Sequence, residues 1–145
     1  MQSIIENEFN EHIKASKKTI ESTGKLIEIA ANICIDGLKK GKKILIFGNG
    51  GSAADAQHIA AEIVGRYKVE RKGLPAIALT TDTSVITAIS NDYGYLHVFE
   101  RQVEALANKN DVVIGISTGG SSANVISALK LAKELGCSVI GLSGK

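Results

Sequence analysis

Apolar residues recur along this chain with two different periods, and the changeovers between them lay out its elements. Over residues 3–40, Ile5, Phe9 and Ile13 fall four apart, followed by Leu26, Ile29, Ile33 and Leu38. That spacing gives a helix one apolar stripe. Gly24 predicts a break between two helices, and Gly37 and Gly41 predict the end of the second, so the first forty residues are expected to form a helical hairpin. From Lys42 onward short continuous apolar runs replace this period: "KKILIFG" (42–48), "AIAL" (76–79), "DVVIGIS" (111–117) and "SVIGLS" (138–143). Such runs suit strands buried on both faces. Helix-length segments lie between them at 52–66, at 83–107 in two pieces, and at 121–135. The alternation predicts an α/β fold, a doubly wound parallel sheet with helices on both faces. One domain is expected, with residues 1–41 as N-terminal helices and 42–145 as the α/β core.

Composition narrows the class of partner. With 145 residues, 44% of them hydrophobic and 22% charged, the chain can bury a core of its own. A net charge of +2 provides no electrostatic footprint for nucleic acid or an anionic membrane. The start, "MQSIIENEFNEH", is polar and acidic, unlike a signal peptide, and no apolar run approaches the ~20 residues of a membrane span. Cys34 and Cys137 match no metal or redox spacing and are expected as reduced thiols. A cytoplasmic protein is expected.

In parallel sheets the ligand binds at the carboxyl ends of the strands, which directs attention to three loops. "GNGGS", Gly48 to Ser52, combines glycines that admit a ligand to the backbone with the N-terminus of a helix, a place suited to an anion. Ser52 and Asp55 also fit a capping box. The G-x-G-x-x-A spelling resembles a dinucleotide fingerprint, but the acid that should follow ~20 residues on is missing, since Asp82 comes too late. The lack of a lysine after the glycines excludes a P-loop. "STGGSS" (117–122) opens another helix with a cluster of hydroxyls, a small polar cradle that fits a phosphomonoester. "TTDTS" (80–84) and "SNDYG" (90–94) follow a third strand, and Asn91 and Asp92 there could face sugar hydroxyls, although "ND" alone is a turn signal.

His58 and Glu62 are i and i+4 on the helix behind the glycine loop, hence neighbours on one face. The surrounding Ala53, Ala54, Ala56, Ile59, Ala60, Ala61, Ile63 and Val64 predict a largely buried helix, in which such a pair needs partners. A structural ion pair is one reading. A general base or two zinc ligands is the other.

Taken together, "GNGGSAADAQHIAAEIVGRY", "AIALTTDTSVITAISNDYG", "RQVEAL" and "NDVVIGISTGGSSANVI" resemble the sedoheptulose 7-phosphate isomerases (phosphoheptose isomerases) of the SIS fold, and the resemblance covers essentially the whole chain. It implies that Asn49, Gly50, Gly51 and Ser52 contact the substrate, with Asn91 and Asp92 near the sugar hydroxyls. Ser117, Thr118, Gly119 and Ser122 would cradle the phosphate. His58 and Glu62 match metal positions for one zinc ion per subunit, and Glu62 also matches a catalytic position. A homo-oligomer is implied, a tetramer with the N-terminal helices at its interface. Two departures accompany the match. Gly119 stands where the family usually has a serine, so a backbone N–H would serve there. Family members also continue through a further strand and a long helix that supply a catalytic histidine and a glutamine, which have no counterpart in this sequence.

The implied activity is aldose–ketose isomerisation of sedoheptulose 7-phosphate to glycero-manno-heptose 7-phosphate, the first committed step of bacterial heptose synthesis. Two other classes share the fold: a protein-binding module like the replication initiator-associating protein, which has no carboxylate at the place of Glu62, and a sugar-phosphate-sensing SIS module. Glu62 favours the enzyme.

Overall fold

The computed structural model describes residues 1–144. They divide into two compact units, Met1–Asn32 and the chain from Ile33 onward. One continuous helix, α1 (Gln2–Lys39), supplies all of the first unit and opens the second. The expected helical hairpin is therefore not formed: Gly24 lies inside α1 without breaking it. A mid-helix glycine costs only about 1 kcal/mol relative to alanine, and Glu21, Lys25, Leu26 and Glu28 around it are good helix formers. Thr19, Ser22 and Thr23 also turn their hydroxyls back to carbonyls four residues earlier, at 2.8 Å each, so none of them offers the backbone an alternative turn. Within the first unit Ile5, Phe9, Ile13 and Ile20 are exposed.

The second unit holds the sheet. Four parallel strands, β1 (Ile44–Gly48), β2 (Ala76–Ala78), β3 (Val112–Ile116) and β4 (Ser138–Leu142), lie in the order β2-β1-β3-β4. Each apolar run identified in the sequence is one of these strands. The register aligns Ile44 with both Ala76 and Val112, and Val112 with Ser138, so the carboxyl ends of all four strands share one edge. Because the chain builds outward from β1 in one direction and then crosses to β3 on its other side, the loops after β1 and β3 diverge. That is the switch point where α/β sheets open a crevice.

Helices cover both faces. α2 (Gly51–Val64) lies over β1 and β2 through Ser52, Ala56 and Ala60. On the opposite face Leu45, Phe47 and Val113 meet Val98, Phe99 and Val103, together with Val125, Ala128 and Ala132 of α5 (Ala123–Glu134). The Phe47 and Phe99 rings stack with centroids 5.0 Å apart, a favourable offset contact. Segment 83–107 is indeed divided, into α3 (Thr83–Tyr93), a 3-10 turn at Tyr95–His97 and α4 (Glu100–Leu106). At the amino ends of the strands the Lys43 ammonium and Asp111 carboxylate form an ion pair. Burial pushes the Asp111 carboxyl up, but hydrogen bonds from the Lys43 side chain and from the N–H groups of Asn108 and Lys43 outweigh it and hold the group below its usual range. Cys34 lies in α1 and Cys137 just before β4, both free thiols, and burial raises the pKa of each. Among the described residues no helix is long and apolar enough to cross a membrane.

Candidate functional site

The loop leaving β1 turns on two glycines. A Cβ on Gly48 would sit 2.7 Å from Ser52 Cβ and 2.8 Å from the Ile116 carbonyl oxygen, so only glycine lets β1 end this close to β3 and α2. Gly50 caps α2 with φ 56° and ψ −121°, a backbone shape that favours glycine. This geometry places the start of the helix at Gly51 and draws Ser52 into its buried first turn. Ser52 therefore does not act as the cap, and the expected capping box with Asp55 is not made. At its other end the Arg71 guanidinium donates to the carbonyls of Glu62 (2.9 Å) and Gly65 (3.2 Å), satisfying carbonyls that the helix leaves unpaired.

Asn49, between these glycines, is the most tightly held residue of the loop. Its Nδ2 donates to Asn124 Oδ1 at 2.9 Å, and its Oδ1 accepts from Asn124 Nδ2 and from the Tyr95 hydroxyl, both at 3.0 Å. Asn124 is the second residue of α5 and is buried. The loops after β1 and β3 are thereby tied together across the switch point. Neither Asn124 nor Tyr95 stands out in the sequence. The available signal was an amide in the first turn of a helix whose next residues, Val125 and Ala128, are core.

The hydroxyl loop is compact. Ser117 leaves β3 with its N–H on the Leu142 carbonyl and accepts the Gly120 N–H in a tight turn, both at 2.9 Å. Ser117 Oγ lies 2.8 Å from Ser122 Oγ and accepts the Ser122 N–H at 3.3 Å. The structure thus brings Ser117 and Ser122 together and leaves Thr118 and Gly119 exposed above them. Ser122 occupies the cap position of α5, but its side chain caps nothing, and its hydroxyl turns to Ser117 instead. A Cβ at Gly119 would meet Ser121 Oγ only at 3.7 Å, so the turn has space for a side chain there.

The outer face of α2 differs from expectation. Only Ser52, Ala56 and Ala60 are buried, while Ala54, Ala61 and Val64 are exposed. The helix rests on the sheet by a narrow stripe of small residues, and its other faces are open. His58 and Glu62 share one such open face, with His58 Nε2 3.9 Å from Glu62 Oε1 and side chains 75% and 35% exposed. His58 is open to solvent and Glu62 half-buried, so the pair is not the fully buried one that would require a structural partner. An imidazole nitrogen and a carboxylate oxygen this close suit zinc in donor type, and they provide two of the four ligands of a tetrahedral site. Among the described residues no group of three or more His, Cys, Asp or Glu could hold a metal.

Asn91 and Asp92 lie in the last turn of α3, not in a loop, and both are exposed, with Asn91 Nδ2 donating to Asp92 Oδ1 at 2.8 Å. Neither touches Asn49 or the hydroxyl loop through a hydrogen bond. Beside Asn49 a cavity of about 100 Å³ is lined by Gly48, Gly50, Thr80 and Tyr95. A larger hollow of about 370 Å³ lies away from these loops, along Tyr93, His97, Glu100 and Arg101. Its charged groups already engage one another. His97 Nδ1 and Glu100 Oε2 are 2.8 Å apart, Ser127 donates to the same carboxylate, and Arg101 pairs with Glu104 and covers the Tyr93 ring. The His97 hydrogen bond holds the Glu100 carboxyl below its usual pKa, against a smaller opposing effect of burial. The smaller cavity, at the carboxyl ends of β1 and β2, is the better candidate for chemistry.

Known proteins resemble the chain over nearly all of its length. The SIS domain family matches residues 8–144. The phosphoheptose isomerase of Aliarcobacter butzleri (strain RM4018) is 61% identical over all of this chain and 77% of its own length. That of Helicobacter hepaticus (strain ATCC 51449 / 3B1) is 59% identical over all of this chain and 74% of its own length. The solved phosphoheptose isomerase of Neisseria gonorrhoeae superimposes with a TM-score of 0.91 at 48% identity, covering 98% of this chain and 74% of that one. That of Francisella tularensis reaches 0.93 at 38% identity with the same coverage. By its sheet, its switch-point loops and these relatives, the chain belongs to the phosphoheptose isomerase family of SIS-domain proteins.

Proposed function

We propose that the protein interconverts sedoheptulose 7-phosphate and D-glycero-D-manno-heptose 7-phosphate, an aldose–ketose isomerisation. The observation that carries this reading is the joining of the two switch-point loops, one rich in glycine and one in hydroxyls, in a chain that has the half-buried Glu62 on α2 and is 61% identical to a phosphoheptose isomerase. The phosphate would rest on Ser117, Thr118 and Ser122 with the backbone N–H of Gly119, at the N-terminus of α5. Asn49, Gly50, Gly51 and Ser52 would line the sugar, with Asn91 and Asp92 towards its outer hydroxyls.

In this mechanism Glu62 takes a proton from C1 of the ketose. The electrons of that C–H bond form the C1=C2 double bond of an enediol, and the C2 oxygen takes up a proton. Return of a proton to C2 and loss of the O1 proton leave the aldose. His58 and Glu62 would also hold one zinc ion, whose chemistry when bound is to polarise the carbonyl and stabilise negative charge on its oxygen. Phosphorylated sugars are retained inside cells, so the reading carries a cytoplasmic location with it.

The test is incubation of the protein, with its natural C-terminus, with sedoheptulose 7-phosphate and with unphosphorylated sedoheptulose, followed by proton NMR. The aldose should form from the phosphorylated sugar and not measurably from the other. No aldose from either would favour the partner-binding module. The exposed Ile5, Phe9, Ile13 and Ile20 of α1 further support a homo-oligomer, proposed as a tetramer from the resemblance. Light scattering should give a mass several times the subunit's, and a monodisperse monomer at micromolar concentration would exclude it.

A further inference from the structure

We propose that Asn124 is a positioning residue that fixes which way the Asn49 amide faces, so that Asn49 meets its ligand only as a hydrogen-bond donor. Asn124 is 6% exposed, and its Oδ1 accepts the Val125 backbone N–H at 3.0 Å. A backbone N–H can only donate, so this bond determines which end of the Asn124 amide is oxygen. Turned over, Asn124 would set its own NH₂ against the Val125 N–H.

The polarity then passes to Asn49. Asn124 Oδ1 requires Nδ2 of Asn49 opposite it (2.9 Å), and Asn124 Nδ2 requires Oδ1 of Asn49 (3.0 Å). Tyr95 adds a second donor to that same oxygen at 3.0 Å. An amide oxygen accepts two hydrogen bonds and an NH₂ gives two. The acceptor side of Asn49 is therefore fully used, and one N–H is left for a ligand. A lone, fixed donor suits an oxygen that is already an acceptor and gains negative charge, such as the carbonyl oxygen of a ketose passing to an enediolate. It does not suit a site that must accept from a hydroxyl. This assignment of the donated oxygen rests on the isomerase reading, whereas the lock itself does not.

Two measurements separate the lock from the isomerase reading. The first uses Asn124→Asp. An ionised carboxylate can still accept from Val125 and from Asn49 Nδ2, but it cannot donate to Asn49 Oδ1, and two acceptors then face each other. kcat/KM should fall about 10–100-fold at neutral pH. On acidification the variant carboxyl gains an O–H and regains the amide's donor–acceptor pattern, so the deficit relative to the parent should shrink. A deficit constant across pH, or none, overturns the donor-only assignment. The second needs no activity: hydrogen exchange of the Asn49 side-chain amide by NMR, its signals identified by their loss in Asn49→Asp. Asn124→Ala should speed that exchange by about tenfold or more. Should this variant not fold, Tyr95→Phe, which removes only one donor, should speed it several-fold. Unchanged exchange overturns the lock. Faster exchange in a protein without isomerase activity keeps the lock and refutes the isomerase reading instead.

Discussion

Glu62→Gln should lower kcat by about 10²–10⁴-fold, the usual cost of losing a general base. Glutamine keeps the shape and most of the hydrogen-bonding capacity of glutamate but cannot take up a proton from carbon. Folding should be unaffected, because the side chain is 35% exposed and its one ionic neighbour is His58, 3.9 Å away; such positions seldom change stability by more than about 0.5 kcal/mol. KM should move little, since in the proposed reading the phosphate would be held by the β3–α5 loop. Assaying His58→Ala and the zinc content of both variants distinguishes the two proposed roles. If Glu62 serves only as a ligand, both variants lose metal and activity together. If it is the base, Glu62→Gln loses turnover even where metal is retained. Turnover at the parent rate would remove both roles.

The Ser117→Ala, Ser122→Ala double variant should lose affinity rather than turnover. Hydrogen bonds to a charged group are worth about 1.5–3 kcal/mol each, or roughly 10–100-fold in binding per bond. With both hydroxyls gone, the dissociation constant for sedoheptulose 7-phosphate should rise by about 10²–10⁴-fold. The two oxygens lie 2.8 Å apart and Ser117 Oγ also accepts the Ser122 N–H, so each hydroxyl orients the other and their effects should not add independently. Isothermal calorimetry measures this directly. An unchanged affinity would move the phosphate to another part of the fold.

β1 and β3 were legible because a parallel strand covered on both faces must be apolar at every position, as "ILIFG" and "VVIGI" are; β2 and β4, at the sheet edges, were found too but are not buried on both faces as expected, with Ile77 and Leu142 exposed. The loops were legible for a related reason: glycine and serine at strand ends mark where backbone is free to meet a ligand. The single helix α1 was not. Gly24 carries a modest local cost that a 38-residue helix absorbs, and no local signal reports that balance. Ser52 was misplaced as a cap because its sequence context is a cap's; Gly50 takes that position, in a loop where Gly48 comes close to Ile116, 68 residues away in the chain. The outward-facing His58 and Glu62 were expected to be buried because alanine is compatible with both core and surface. A stripe of Ser52, Ala56 and Ala60 suffices to seat α2 on the sheet. The lock on Asn49 was invisible for the plainest reason. Asn124 and Tyr95 reach it from 75 and 46 residues away, and a hydrogen bond between distant amides leaves no periodicity behind.

Isomerisation through proton transfer at carbon is the central claim, and it is tested most directly by running the reaction in D₂O. The protein with its natural C-terminus is incubated with sedoheptulose 7-phosphate, and the products are resolved by NMR and mass spectrometry. The Glu62 side chain is 35% exposed, enough for the proton it carries to exchange with solvent before it is returned. The expected result is an aldose heptose 7-phosphate carrying solvent deuterium at C2, with its formation strongly slowed in Glu62→Gln. Absence of the aldose, or aldose formed with no deuterium at C2, would contradict the account.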